Sequence, residues 1–193
     1  MFRAMLRRSA IRARLIRPVN GFAANDSGAT AVEFGLVAAP FLALLVALIQ
    51  TGVVFFAARV LDEVTAEAGR YIMTGQAQMG NMSQSGFQNY LCTSSNTAGL
   101  VSALFTCSNL MINVQNYSSF SSANTSTPTL TFDSNGNVTN TWAWSPGNAG
   151  DVVVMQVMYQ WPVILGPLGF NLSNLGNGNR LLVSTTVFKN EPY

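Results

Sequence analysis

The sequence has no histidine, only two cysteines, and 9% charged residues in a chain of 193. The missing histidine excludes a histidine general base and removes the commonest metal ligand. Two cysteines without histidine make a poor zinc site, so no metal is expected. Carboxylates are nearly as scarce. Beyond Gln76 there are only Asp133, Asp151 and Glu191, none close to another, and a serine nucleophile would find no base but Lys189. The glycine-dense run "LGNGNR", residues 175–180, lacks the strand-to-helix setting that a phosphate-binding loop needs, so no cofactor is expected. The inventory argues against an enzyme.

The charge that exists is segregated. Residues 1–28 carry six arginines (Arg3, Arg7, Arg8, Arg12, Arg14, Arg17) against Asp26, whereas the remainder carries four basic residues against seven acids. The basic balance therefore belongs to the N-terminal leader. It gives no ground for nucleic-acid binding by the rest of the chain.

Between Phe34 and Ala58 lie 25 consecutive residues without charge. As a helix this run would span roughly 37 Å, more than the roughly 30 Å hydrocarbon core of a bilayer. It is also longer than the 7–15-residue apolar core of a cleaved secretory signal, as rough limits go. A membrane-embedded segment is expected at about residues 34–58. The arginine-rich leader should stay cytoplasmic and the C-terminal part should be exported. Pro40 is tolerable in such a helix. Small residues recur at every fourth position, at Ala31, Gly35, Ala39, Ala43, Ala47 and Thr51. They make a ridge suited to close helix packing, or else the chance spacing of an alanine-rich span. One acid, Glu33, stands just before the apolar run. Near the headgroup layer it would sit favourably at a helix N-terminus.

The helical period continues to about Thr74, where Gly75 supplies a stop signal. Arg59 is placed to pair with Glu63, and Glu67 with Arg70. From Gln76 onward the composition changes to sixteen asparagines, many Ser, Thr and Gly, and five charged residues. Short helices are expected at Gln84–Cys92 and Ala98–Phe105. Strands are expected at Leu110–Tyr117, Thr129–Phe132, Val138–Trp144, Asp151–Trp161 and Leu181–Phe188, with Asn135-Gly136 as a tight hairpin turn. "VVVMQVMYQW" is apolar enough for a central strand, which Pro162 should end. Trp142, Trp144 and Trp161 are either core residues or an exposed aromatic surface. Cys92 and Cys107, in an oxidising compartment, would form a disulfide contributing about 3 kcal/mol through loop closure. The expected fold class is α+β: a long N-terminal transmembrane and amphipathic helix packed on a small antiparallel sheet. Its expected parts are a basic leader (1–28), a long helix (29–75) and an exported β-rich domain (76–193).

"SGATAVEFGLVAAPFLALLVALIQTG", followed by "AGRYIMTGQ" and a terminal "VFKNEPY", resembles the TadE-like family of minor pilins and pseudopilins from tight-adherence (Tad/Flp) pilus systems. The spacing of Gly28 and Glu33 is similar to that of type IV prepilins generally. The resemblance is strong over 28–76 and absent over 79–150. It implies that a prepilin peptidase cuts between Gly28 and Ala29, leaving Glu33 and Phe34 as the fifth and sixth residues of the mature chain. Glu33 would then neutralise the new α-amine of a neighbouring subunit, and the ridge at Gly35, Ala39, Ala43 and Ala47 would pack against other helices. The implied partners are the peptidase, a major Flp-type pilin, a second minor pilin and the inner-membrane Tad assembly platform. The implied location is the bacterial inner membrane with the C-terminal domain in the periplasm, and then the cell-surface pilus. Two alternatives remain open: a signal-anchored envelope protein with a β-rich binding domain, and a minor pseudopilin of type II secretion.

Overall fold

A computed structural model describes residues 27–193 except 165, 167 and 168. The leader proposed for 1–28 therefore lies outside the described residues up to Asp26. Helix α1 runs over Ser27–Met73, 47 residues, with Pro40 inside it. The chain divides into two units between Val46 and Ala47.

The first unit contains the start of α1. Its side chains have almost no protein around them. Val32, Phe34, Leu36 and Leu44 are all more than half exposed, and among the described residues of this unit only Ala38 and Ala43 are partly covered. An apolar helix that is bare on every side calls for a non-aqueous solvent or for other helices.

In the second unit α1 changes character. Val54, Ala57, Leu61, Val64, Ala68 and Ile72 are buried, at spacings of three and four that make one stripe down the helix. The stripe shares a core with an antiparallel three-stranded sheet of order β1-β2-β3. These strands are β1 (Met111–Tyr117), β2 (Val152–Trp161) and β3 (Arg180–Lys189). β2 is central, and its first eight residues are all buried. That is why "VVVMQVMY" is apolar without alternation: both faces of the strand are covered. Met155 pairs with Val114 on one side and Thr186 on the other. Pairing ends at Trp161, directly before Pro162. At Gly69 the sheet comes so close that a Cβ would lie 3.0 Å from the Thr186 methyl and 3.3 Å from the Phe188 ring.

Three short helices complete the unit: α2 (Gln76–Met79), α3 (Gln84–Thr93) and α4 (Ala98–Leu104). Ser83 caps α3 by accepting from the Gly86 N–H. The Cys92–Cys107 disulfide is present and ties α3 to a 3₁₀ turn at Cys107–Asn109. The architecture is α+β, a long apolar helix followed by a small antiparallel sheet.

The sequence expectations need two corrections. Thr129–Phe132 and Val138–Trp144 are not strands; they make only isolated bridges, Phe132 with Val138 and Val114 with Trp144. A few backbone pairs remain, such as Thr139 N–H to the Thr131 carbonyl, and side chains take other groups. Thr131 N–H donates to Asn140 Oδ1, and Asn140 Nδ2 donates to the Thr129 carbonyl. The Asn135-Gly136 turn does form, with Gly136 at φ 81°. The charge pairing on α1 also differs. Arg59 pairs with Asp62 at 3.3 Å rather than with Glu63, and Glu67 is engaged elsewhere.

The C-terminal residues close onto the end of α1. Glu191 N–H donates to the Met73 carbonyl at 2.9 Å. The Asn190 amide donates to the carbonyls of Pro146 and Asn148. Gly75, at φ 77°, lies under the Tyr193 ring, so closely that a Cβ there would fall 2.4 Å from it. The helix therefore stops where a left-handed glycine lets the chain turn beneath an aromatic lid.

Candidate functional site

The candidate residues of the N-terminal helix stand in its first turns. Gly28 and Ala29 are exposed, and a Cβ built on Gly28 would meet nothing. Glu33 is exposed on the same helix, and the adjacent Phe34 is 74% exposed. Along the ridge, Gly35 and Ala39 are exposed while Ala43 and Ala47 are half-buried. A Cβ at Gly35 would likewise meet nothing. The helix from Gly28 to Met73 is long and apolar enough to cross a membrane.

Sequence reasoning missed the role of Glu67. Its carboxylate accepts from the backbone N–H groups of Asn96 and Thr97, at 2.7 and 3.1 Å, and from the Thr97 hydroxyl at 2.9 Å. Thr97 is the residue before α4, so Glu67 supplies from another element the acceptor that a helix N-terminus requires. No local pattern in the sequence could reveal this contact, because the partners are thirty positions apart. Tyr90, close by, has its pKa raised above 10.0, first by burial and then by the charge of Glu67 and by Tyr71.

The acids of the C-terminal part are held in turns. Asp133 accepts from the N–H groups of Asn135 and Asn137 and from the Asn137 amide. These bonds, the Asn137 side chain foremost, hold its carboxyl below the usual 3.8. Asp151 accepts from the Asn148 N–H and the Asn116 amide. Among the described residues no three His, Cys, Asp or Glu side chains gather to hold a metal ion.

The tryptophans divide. Trp144 and Trp161 pack against the core, and the Trp144 indole N–H donates to the Met82 carbonyl. Trp142 is half-buried and stands between two grooves of about 600 and 350 Å³. The lining of both is uncharged and rich in amides, with Gln84, Asn109 and Asn179 on one side and Asn124, Asn140 and Gln156 on the other.

No curated protein and no solved structure matches the chain. Over residues 28–70, the stretch that holds Glu33, the small-residue ridge and most of the buried stripe, the chain matches the family model of the TadE-like proteins.

Proposed function

We propose that this protein is a minor pilin or pseudopilin that takes part in assembling or initiating a Tad pilus used for surface adherence. It is a substrate of catalysis rather than a catalyst. A prepilin peptidase removes the basic leader after Gly28, and the mature helix begins at Ala29. The leader is cytoplasmic, and the sheet domain lies in the periplasm until the subunit leaves the inner membrane for the pilus. The observation that carries the reading is the division of α1: bare and apolar at its start, then buried in its own domain from Val54 onward. A helix needed only as an anchor has no use for 47 residues.

Cutting creates a charged amine at Ala29, and burying an unpaired charge in an apolar surround is costly. Glu33 is four residues further, displaced by about 6 Å along the axis. Across a helix bundle it meets the amine of a neighbouring subunit and fixes the axial register. Contacts with a major Flp-type pilin, a second minor pilin and the assembly platform are what the TadE-like resemblance implies for such a subunit.

Co-expression with a Tad prepilin peptidase, followed by determination of the N-terminus, tests the proposal. Ala29 is expected as the first residue, and Gly28→Val should block cutting. An uncut chain, or one cut regardless of Gly28→Val, defeats the pilin reading. Glu33→Ala should leave cutting intact and impair piliation; normal piliation would remove the role given to the carboxylate. A second reading, an anchored envelope protein with a binding domain, is favoured by the uncharged grooves beside Trp142. It gains ground if the chain stays uncut and Trp142→Ala abolishes binding of a neutral glycan.

A further inference from the structure

Gln50 is the one polar amide within the uncharged 34–58 run of α1. Its Nε2 donates to the carbonyl of Ile164 at 2.6 Å, and Ile164 belongs to the connection between β2 and β3. The Ile164 side chain is 79% exposed, Pro162 beside it is exposed, and Val163 is half-buried. The chain carries no charge from Val152 to Asn179. A bare isoleucine on an uncharged connection, held against an apolar helix, is poorly suited to water.

We propose that Pro162 to Ile164, at the start of this connection, rest on the bilayer in contact with lipid, so that the membrane ends near Gln50. The inference rests on the reading of α1 as a membrane helix and adds a second, non-helical contact to it. Three observations agree on the level. The charge-free stretch Phe34–Gln50 would span roughly 25 Å, at the short end of what a membrane helix uses. Burial of α1 in its own domain begins four residues past Gln50, at Val54. Arg180, one of two cations after Gln76, lines a small cavity with Phe55 and Leu172 and donates to the Leu172 carbonyl at 3.0 Å. Phe55 is about 7 Å further along the helix than Gln50, roughly one headgroup layer. A cation at that height suits lipid phosphate. The Gln50–Ile164 bond also acquires a reason: at the lipid boundary neither the amide nor the carbonyl has ready access to water, and each satisfies the other.

The full chain, reconstituted in phosphatidylcholine–phosphatidylglycerol vesicles, provides the test. The two native cysteines are joined, so single nitroxide labels can be placed selectively at Ile164→Cys, Leu44→Cys and Ser121→Cys, all exposed positions. Oxygen concentrates in lipid and a nickel chelate in water. The ratio of their collision rates at 164 should match that at 44 and exceed that at 121 several-fold. A ratio at 164 equal to that at 121, with 44 still reading as lipid, overturns the proposal and leaves the membrane helix intact. A watery reading at 44 would instead defeat the membrane reading, and this inference with it. A label at Pro162→Cys repeats the measurement independently of the Ile164 side chain.

Discussion

Truncating Glu67 to alanine removes three hydrogen bonds that join α1 to the start of α4. They do not all count equally. Asn96 is exposed, so water replaces the carboxylate there. Thr97 is only 8% exposed, and both its N–H and its hydroxyl depend on Glu67. The Thr97 hydroxyl keeps a neighbour in Ser95 at 3.2 Å; the N–H is left without its acceptor. An unsatisfied buried donor costs about 1–3 kcal/mol, and bonds to a charged group lie at the upper end. A loss of about 3 kcal/mol is therefore expected for Glu67→Ala. For a unit of this size each kcal/mol moves the melting temperature by about 2–4 °C, giving a fall of roughly 6–12 °C. Glu67→Gln keeps one acceptor oxygen but turns an NH₂ group toward a donor, so it should recover no more than half. Thermal unfolding of the detergent-solubilised chain at neutral pH, with amide exchange at Thr97 as a local readout, decides the matter. If Glu67→Ala melts within a degree or two of the wild type and Thr97 stays protected, the cross-element cap contributes nothing and the reasoning fails.

Other outcomes follow from the same structure. Gly69→Leu drives a branched side chain into Thr186 and Phe188 and should destabilise the fold by about 3 kcal/mol or more, seen as a lower denaturant midpoint; an unchanged midpoint would mean that the sheet does not approach α1 as described. Reducing Cys92–Cys107, fifteen positions apart, should cost about 3 kcal/mol, measured by urea unfolding with and without reductant. Because the Tyr90 pKa is raised in the folded state, its contribution is intact below the ordinary tyrosine value and is lost as pH climbs through the raised one. Stability should thus fall on the alkaline side of pH 10, and Tyr90→Phe should lessen that fall; equal slopes for the two proteins would contradict the assignment. Gly75→Ala combines a left-handed residue with a clash against Tyr193 and should cost about 1–2 kcal/mol from the backbone alone, with Tyr193→Ala relieving only the clash.

Much of the fold was legible because its signals are local. The span and its continuation to Met73 follow from hydropathy and then from a three-and-four spacing, and Gly75 marks the stop. β2 was readable as a central strand because burial on both faces leaves an unbroken apolar run. The failures lie between Thr129 and Trp144, where alternation suggested strands. There Asn140 and Asp133 bond the backbone themselves, and an asparagine-rich sequence offers such bonds almost anywhere. The role of Glu67 was hidden because its partners are distant in sequence, while the i+3 spacing offered Arg70 as its pair. "NEPY" was visible as a motif without a reason. Its reason is contact with Met73, Gly75 and Pro146, which no reading of residues 190–193 alone can supply. For the candidate site, position in the sequence is the whole of the reading: Gly28, Glu33 and Gly35 stand exposed on α1, and the roles given to them are proposals.

The buried stripe of α1 has a consequence for the order in which the molecule is made. On a ribosome, Val54 to Ile72 emerge more than a hundred residues before β3 and the residues that grip Met73. For most of that interval the stripe has no sheet beneath it. A nascent chain in this condition exposes an apolar helical face beside an apolar span, and the two differ only in their eventual solvent. Closure by a late strand is slow, since the longest loop must be ordered before its contacts form. The protein should therefore depend on a holding chaperone or on the membrane surface itself during that window. Mutations that weaken β3 should appear first as low yield rather than as altered behaviour of the finished protein.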